Sequence, residues 1–132
     1  MKINTKTLRI GNQFIETKTK QVIEVEGLTK DTIYFSGQFE DEWQAIEFPL
    51  NNKVLQKMGF EMRVGEINTF FHLEDGCYTY MVSETGKKST YHIALVDSES
   101  GKHLGGIGLV STVHQLQNKI FPFNNTEIKY AQ

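Results

Sequence analysis

The stretch Ser111-Thr112-Val113-His114-Gln115-Leu116-Gln117-Asn118-Lys119-Ile120-Phe121-Pro122-Phe123 decides how the rest of the chain is read. Val113, Leu116 and Ile120 recur at spacings of three and four, and Val110 and Phe121 extend the stripe, so an amphipathic helix is expected over about 111–121. Thr112 with Gln115 three residues on has the capping-box pattern, in which each side chain satisfies an orphan backbone donor. Pro122 is expected to end the helix. Almost everything else reads as strands and turns, so this helix is expected to cover the apolar face of a sheet.

Working upstream, Ile67 to Leu73, Cys77 to Val82, Thr90 to Val96 and His103 to Leu109 are strand-like. Glu74-Asp75-Gly76, Ser83 to Lys88 around Gly86, and Asp97 to Gly101 separate them with residues that accept the positive φ of hairpin loops. The simplest arrangement is an antiparallel meander over about 60–109. Along it Tyr78 and Tyr80 share one face against Cys77, Thr79 and Met81, while Tyr91, Ile93 and Leu95 oppose His92, Ala94 and Val96. Gly105, Gly106 and Gly108 predict a bulge, an edge or a close backbone approach in the last strand.

Further upstream, Phe14 to Thr17, Gln21 to Val25 and Thr32 to Phe35 read as strands, with breaks at Gly11-Asn12, Gly27-Leu28 and Lys30-Asp31. Ser36 to Trp43 is an acidic turn, and Ala45 to Phe48 a strand stopped by Pro49. The segment 51–58 predicts a short helix, capped by an asparagine and ended by Gly59, with Val54, Leu55 and Met58 on one face. Thr126 to Tyr130 is expected to return as a last strand. The whole is one domain of the α+β class: a strand-rich part over about 1–48, the short central helix, the meander, and the C-terminal helix packed on one face of a curled antiparallel sheet.

At 132 residues the chain can bury a core without disulfide or metal staples. Its net charge of −2 gives no global attraction to nucleic acid or anionic membrane. Cys77 is the one cysteine, which excludes an intramolecular disulfide and a multi-cysteine zinc site. The N-terminus lacks the apolar run of a signal peptide, and no stretch approaches the roughly 18 apolar residues of a membrane span. These features lead us to expect a soluble protein of the cytoplasm.

Three strings carry a resemblance. Leu8-Arg9-Ile10-Gly11-Asn12, the segment from Ile46 to Glu61 (IEFPLNNKVLQKMGFE) and Val113 to Asn118 (VHQLQN) occur in this order across most of the chain. Together they resemble small uncharacterised proteins encoded by phages and mobile elements of Bacteroidota. The resemblance implies a phage or mobile-element accessory protein at work inside a bacterial cell. It carries over no catalytic or binding residue.

Among residues that could carry chemistry, His72, His92, His103 and His114 lack the spacings of a metal or catalytic motif, and reading them as ordinary strand and helix residues suffices. His72 and His92 could still meet across the sheet. His114, in the first turn of the key helix, is expected to be neutral and to hydrogen-bond a backbone group. Of Gln115 and Gln117, which lie on different helix faces, at least one should reach solvent or a partner. Cys77 reads as a small buried hydrophobe rather than a nucleophile. The glycines from Gly101 to Gly108 lack the order of a phosphate loop.

Two surfaces remain. Glu40, Asp41, Glu42 and Trp43 form an acidic, aromatic candidate for protein contact. Tyr78, Tyr80 and Tyr91 with Lys87 and Lys88 could bind single-stranded nucleic acid by stacking and charge. No cofactor is implied. The expected function is a non-enzymatic protein-interaction module, such as a host-directed inhibitor, with a protein partner or a second copy of itself. A small nucleic-acid-binding protein is the alternative, and an enzyme using His72, His92 or Cys77 the third reading.

Overall fold

The computed structural model describes residues 5–30, 32–36, 45–65 and 69–131. Among the described residues, nine strands form two antiparallel sheets, one strongly curled, together with two α-helices and a short 3-10 turn at Thr5–Thr7, which is the α+β, strand-dominated class expected. The small sheet is built from β1 (Gln13–Glu16), β2 (Val22–Leu28), β3 (Ile33–Phe35) and β4 (Ala45–Ile46) in the order β3-β2-β1-β4. The large sheet is a plain meander of β5 (Glu61–Val64), β6 (Thr69–Asp75), β7 (Tyr78–Glu84), β8 (Tyr91–Asp97) and β9 (His103–Val110). Helix α1 (Asn52–Lys57) links the sheets in sequence and α2 (Val113–Asn124) follows β9.

Turn chemistry places most of these elements. Asn51 accepts from the Val54 N–H as the α1 N-cap, and Gly59 takes φ +101° just beyond the helix, as its missing Cβ permits. In the large sheet one face is closed: Phe71, Tyr80, Val82 and Ile93 share a buried cluster with Leu55, Phe60, Val113, Leu116 and Ile120. A second, smaller cluster of Leu8, Phe14, Ile23 and Val25 fills the small sheet.

Several expectations are corrected. The strand-rich N-terminal part and the meander are two sheets rather than one. β2 runs on through Gly27-Leu28, accommodating the glycine with a register shift between Val25 and Gly27 instead of breaking. A fifth large-sheet strand, β5, precedes the four expected ones. Pro122 lies inside α2, which ends three residues later when Asn125 adopts the left-handed conformation at φ 52°. A proline so near the end disturbs only the last turn. Thr126 to Tyr130 is no strand; side chains hold this tail, as described below.

Pro49 does more than stop a strand. It pairs with Thr112 in an isolated antiparallel bridge, in which Leu50 N–H donates to Ser111 O (2.9 Å) and Val113 N–H donates to Phe48 O (2.8 Å). Both bonds come from the flanking residues, so the absent N–H of proline is never needed.

The glycines of β9 show all three of the features expected. β9 is an edge strand, its pairing with β8 shifts register twice, and a Cβ on Gly106 would lie 2.6 Å from His92 Nε2.

Candidate functional site

Helix α2 touches both sheets. With successive residues turned by about 100°, Val113, Leu116 and Ile120 share one side, while Gln117, Phe121, His114 and Asn118 follow around the flank. The first side faces the large sheet. The flank meets the small sheet through polar chemistry.

Gln117 is the centre of that junction and is almost wholly buried. Its Oε1 accepts from Gln13 N–H (3.0 Å) and Asn12 Nδ2 (3.3 Å), and its Nε2 donates to Ile128 O (2.8 Å). Arg9 lies next to it: Nε donates to Asn118 Oδ1 (2.9 Å), both terminal nitrogens reach the Glu127 carboxylate (2.8 and 3.1 Å), and one also reaches Gln117 O (3.1 Å). The guanidinium rests on the Phe121 ring, 3.9 Å from its centroid. Gln13 then fixes the tail, accepting from Tyr130 N–H (2.7 Å) and donating to Tyr130 O (3.3 Å). With its donors and acceptors so matched, the junction joins β1, α2 and the tail.

Two of the three resembling strings meet here, Arg9 and Asn12 from one and Gln117 and Asn118 from another. The third reaches them at the Pro49–Thr112 bridge. The sequence signal for Gln117 was its place between Val113 and Phe121 at steps of four, beside the apolar stripe. Gln115 is the exposed partner of the pair, and its Oε1 accepts from Ser111 N–H (2.9 Å), one residue before the position the capping box predicts. Thr112 Oγ1 accepts from Gln115 N–H as expected (3.4 Å).

His114 is buried, stacked on Phe14 at 4.8 Å, and its Nδ1 contacts Thr112 Oγ1 at 3.2 Å. The partner is thus a side-chain hydroxyl rather than the expected backbone group. Burial lowers its pKa below the usual histidine value, opposed by the charge of Glu47, so the neutral ring is favoured.

The other histidines do not converge. His72 and His92 both lie on the open face of the large sheet, but β7 runs between their strands. His72 keeps local company: Arg63 Nε donates to its Nε2 (3.0 Å) while Arg63 Nη2 donates to Glu61 (3.2 Å). Glu61 Oε2 lies 3.1 Å from the same Nε2, which can accept from Arg63 in one tautomer or donate to Glu61 in the other, but not both at once. Among the described residues no three His, Cys, Asp or Glu side chains gather as a metal would require. Cys77 is exposed in the β6–β7 turn, contrary to the buried position expected, because the strand begins only at Tyr78.

Nor do the tyrosines make a platform. Tyr80 is fully buried, and burial with the nearby Asp75 charge pushes its phenol up to about 12. Tyr91 is buried and donates to Asn52 Oδ1 (2.8 Å). Tyr78 is half-buried against Phe123. Lys87 and Lys88 are exposed at the β7–β8 tip, where they line a shallow cleft with the edge of the buried Tyr91, while Tyr80 lies in the closed core. Base stacking needs open rings, and two of the three are closed. Glu40, Asp41, Glu42 and Trp43 lie outside the described residues, as do the lead-in positions 66–68 before β6.

What remains as a candidate site is the uncovered side of the large sheet. Direct cross-strand pairs place Arg63, Phe70, Ser83, His92 and Leu109 in one row across the open face, and Glu61, His72, Met81 and Ala94 in the next. Among the described residues, seven large hydrophobic side chains are exposed, and four sit on the two edge strands: Met62 (49%) and Val64 (80%) on β5, Leu104 (49%) and Leu109 (62%) on β9. Sequence reasoning missed the β5 pair, although Glu61-Met62-Arg63-Val64 alternates with the period of a strand. Four residues are too few for that pattern to stand out.

No family model matches the chain, and comparison with curated proteins and with solved structures gave no match. No helix among the described residues is long and apolar enough to cross a membrane.

Proposed function

We propose that this chain is a non-enzymatic protein-interaction module, an accessory protein of the kind carried by phages and mobile elements of Bacteroidota. It would act in the cytoplasm of a bacterial host, and a host-directed inhibitor is one such role. The observation that carries the reading is the placement of exposed apolar side chains on both edges of the large sheet, next to an open face that mixes Phe70 and Met81 with histidines and charges. Exposed apolar side chains set among polar ones are surface that a protein partner can cover. The setting rests on the resemblance of the three strings alone. On the sequence reading, Glu40, Asp41, Glu42 and Trp43 would add an acidic and aromatic contact.

The test is immobilised protein exposed to bacterial lysate, with Leu109→Glu in parallel. A stoichiometric partner retained by the native chain and lost by the variant is expected, or a stable self-association of the native chain. A chain that retains nothing and stays monomeric overturns the proposal.

A further inference from the structure

The two edges of the large sheet differ. β9 is bent by two register shifts and carries Gly105 and Gly108 at φ +145° and +139°, a geometry that discourages another strand from pairing. β5 pairs with β6 over four successive residues without a shift, and among the described residues no strand lies on its other side. Met62 and Val64 belong to the sheet face that α1 and α2 close elsewhere, yet both are exposed, so that apolar face runs out uncovered at this edge.

The charges of β5 select an occupant. Glu61 and Arg63 flank Met62 on the open face. In an antiparallel pairing of two such strands about a two-fold axis at Met62, residue numbers of paired positions sum to 124. Glu61 then stands opposite Arg63, Arg63 opposite Glu61, and Met62 opposite Met62. Side chains of paired residues must share a face, so the axis can move only by whole residues; a shift of one sets Arg63 against Arg63 or Glu61 against Glu61, losing every match. We infer that β5 pairs with β5 of a second copy of this chain in that register, joining two large sheets into one. This deepens the interaction reading and rests on it, by naming the occupant of one edge. A contact of one short strand belongs to the small, transient class of interfaces.

Sedimentation velocity over a concentration series tests it. The native chain is expected to show reversible monomer–dimer exchange. Glu61→Arg and Arg63→Glu each set like charges opposite one another twice, and each should weaken association about tenfold or more. Mixing the two variants should restore a dimer, because one then offers two cations and the other two anions. Intrachain loss of the Glu61–Arg63 contact predicts no such rescue. A second measurement is independent of charge. In a Cys77→Ser background with a mild oxidant, Met62→Cys should crosslink into dimers, and Val64→Cys, far from its own copy in this register, should not. A native chain that stays monomeric throughout, variants that associate as the native chain does, or crosslinking that ignores position each overturn the proposal. If self-pairing fails while lysate capture still yields a partner sensitive to Leu109→Glu, the broader interaction reading stands; if both fail, both fall.

Discussion

On one side α2 meets the large sheet through Val113, Leu116 and Ile120; on the other it meets the small sheet and the tail through His114, Gln117 and Asn118. The apolar side is stabilised by area removed from water, about 1.5–3 kcal/mol for each large aliphatic chain, and tolerates any shape that fills the space. The polar side gains only about 1 kcal/mol per hydrogen bond, but a missing partner strands a buried group. The first contact supplies stability, and the second decides which surfaces may meet.

The largest loss is expected on the apolar side of α2. Leu116→Ala should cost about 2–5 kcal/mol in urea unfolding, the range for a fully buried leucine that leaves a cavity. Gln117→Leu, which keeps the volume but strands Gln13 N–H and Ile128 O, should cost about 1–3 kcal/mol in the same measurement. It should also expose the tail to hydrogen exchange before the large sheet opens. An equal loss of protection in both regions would show that the junction does not hold the tail separately.

His114 supplies a test by pH. Its folded pKa lies below the unfolded value, so the unfolded chain takes up the proton first. Stability should therefore be intact above the usual histidine value near 6.5 and decline as pH falls from there toward the lowered folded pKa. Denaturant midpoints should show less decline across this window in His114→Gln than in the native chain. The smallest effect is reserved for the solvent side of α2, where Lys119→Ala should change stability by no more than about 0.5 kcal/mol.

Much of this was legible. The stripe from Val113 to Ile120, the hairpin turns at Gly76, Gly86 and Gly101, and an asparagine cap at Asn51 or Asn52, which the structure assigns to Asn51, are local patterns, and local patterns survive into the fold. The candidate surface was far less so. Tyr80 and Tyr91 looked like one aromatic group with Lys87 and Lys88, but strand alternation cannot say which face of a sheet is covered. Cys77 turned outward because a hairpin began one residue later than its composition suggested. β5 escaped notice because a strand of four residues carries too few alternations.

By itself the sequence determined periodicity and punctuation: where helices and strands run, which residues can turn, and which helix needs an apolar surface. These follow from the geometry of 3.6 and 2 residues per repeat and from φ preferences, all of which act within a few residues. Tertiary structure alone decided that α2 serves two sheets, that Gln117 is buried rather than solvated, and that β5 is left open. Gln117 and Gln13 are 104 residues apart, and no local preference encodes a hydrogen bond across that distance. Such contacts form only once packing has placed their backbones together, because a buried amide must then find partners or unfold the site around it.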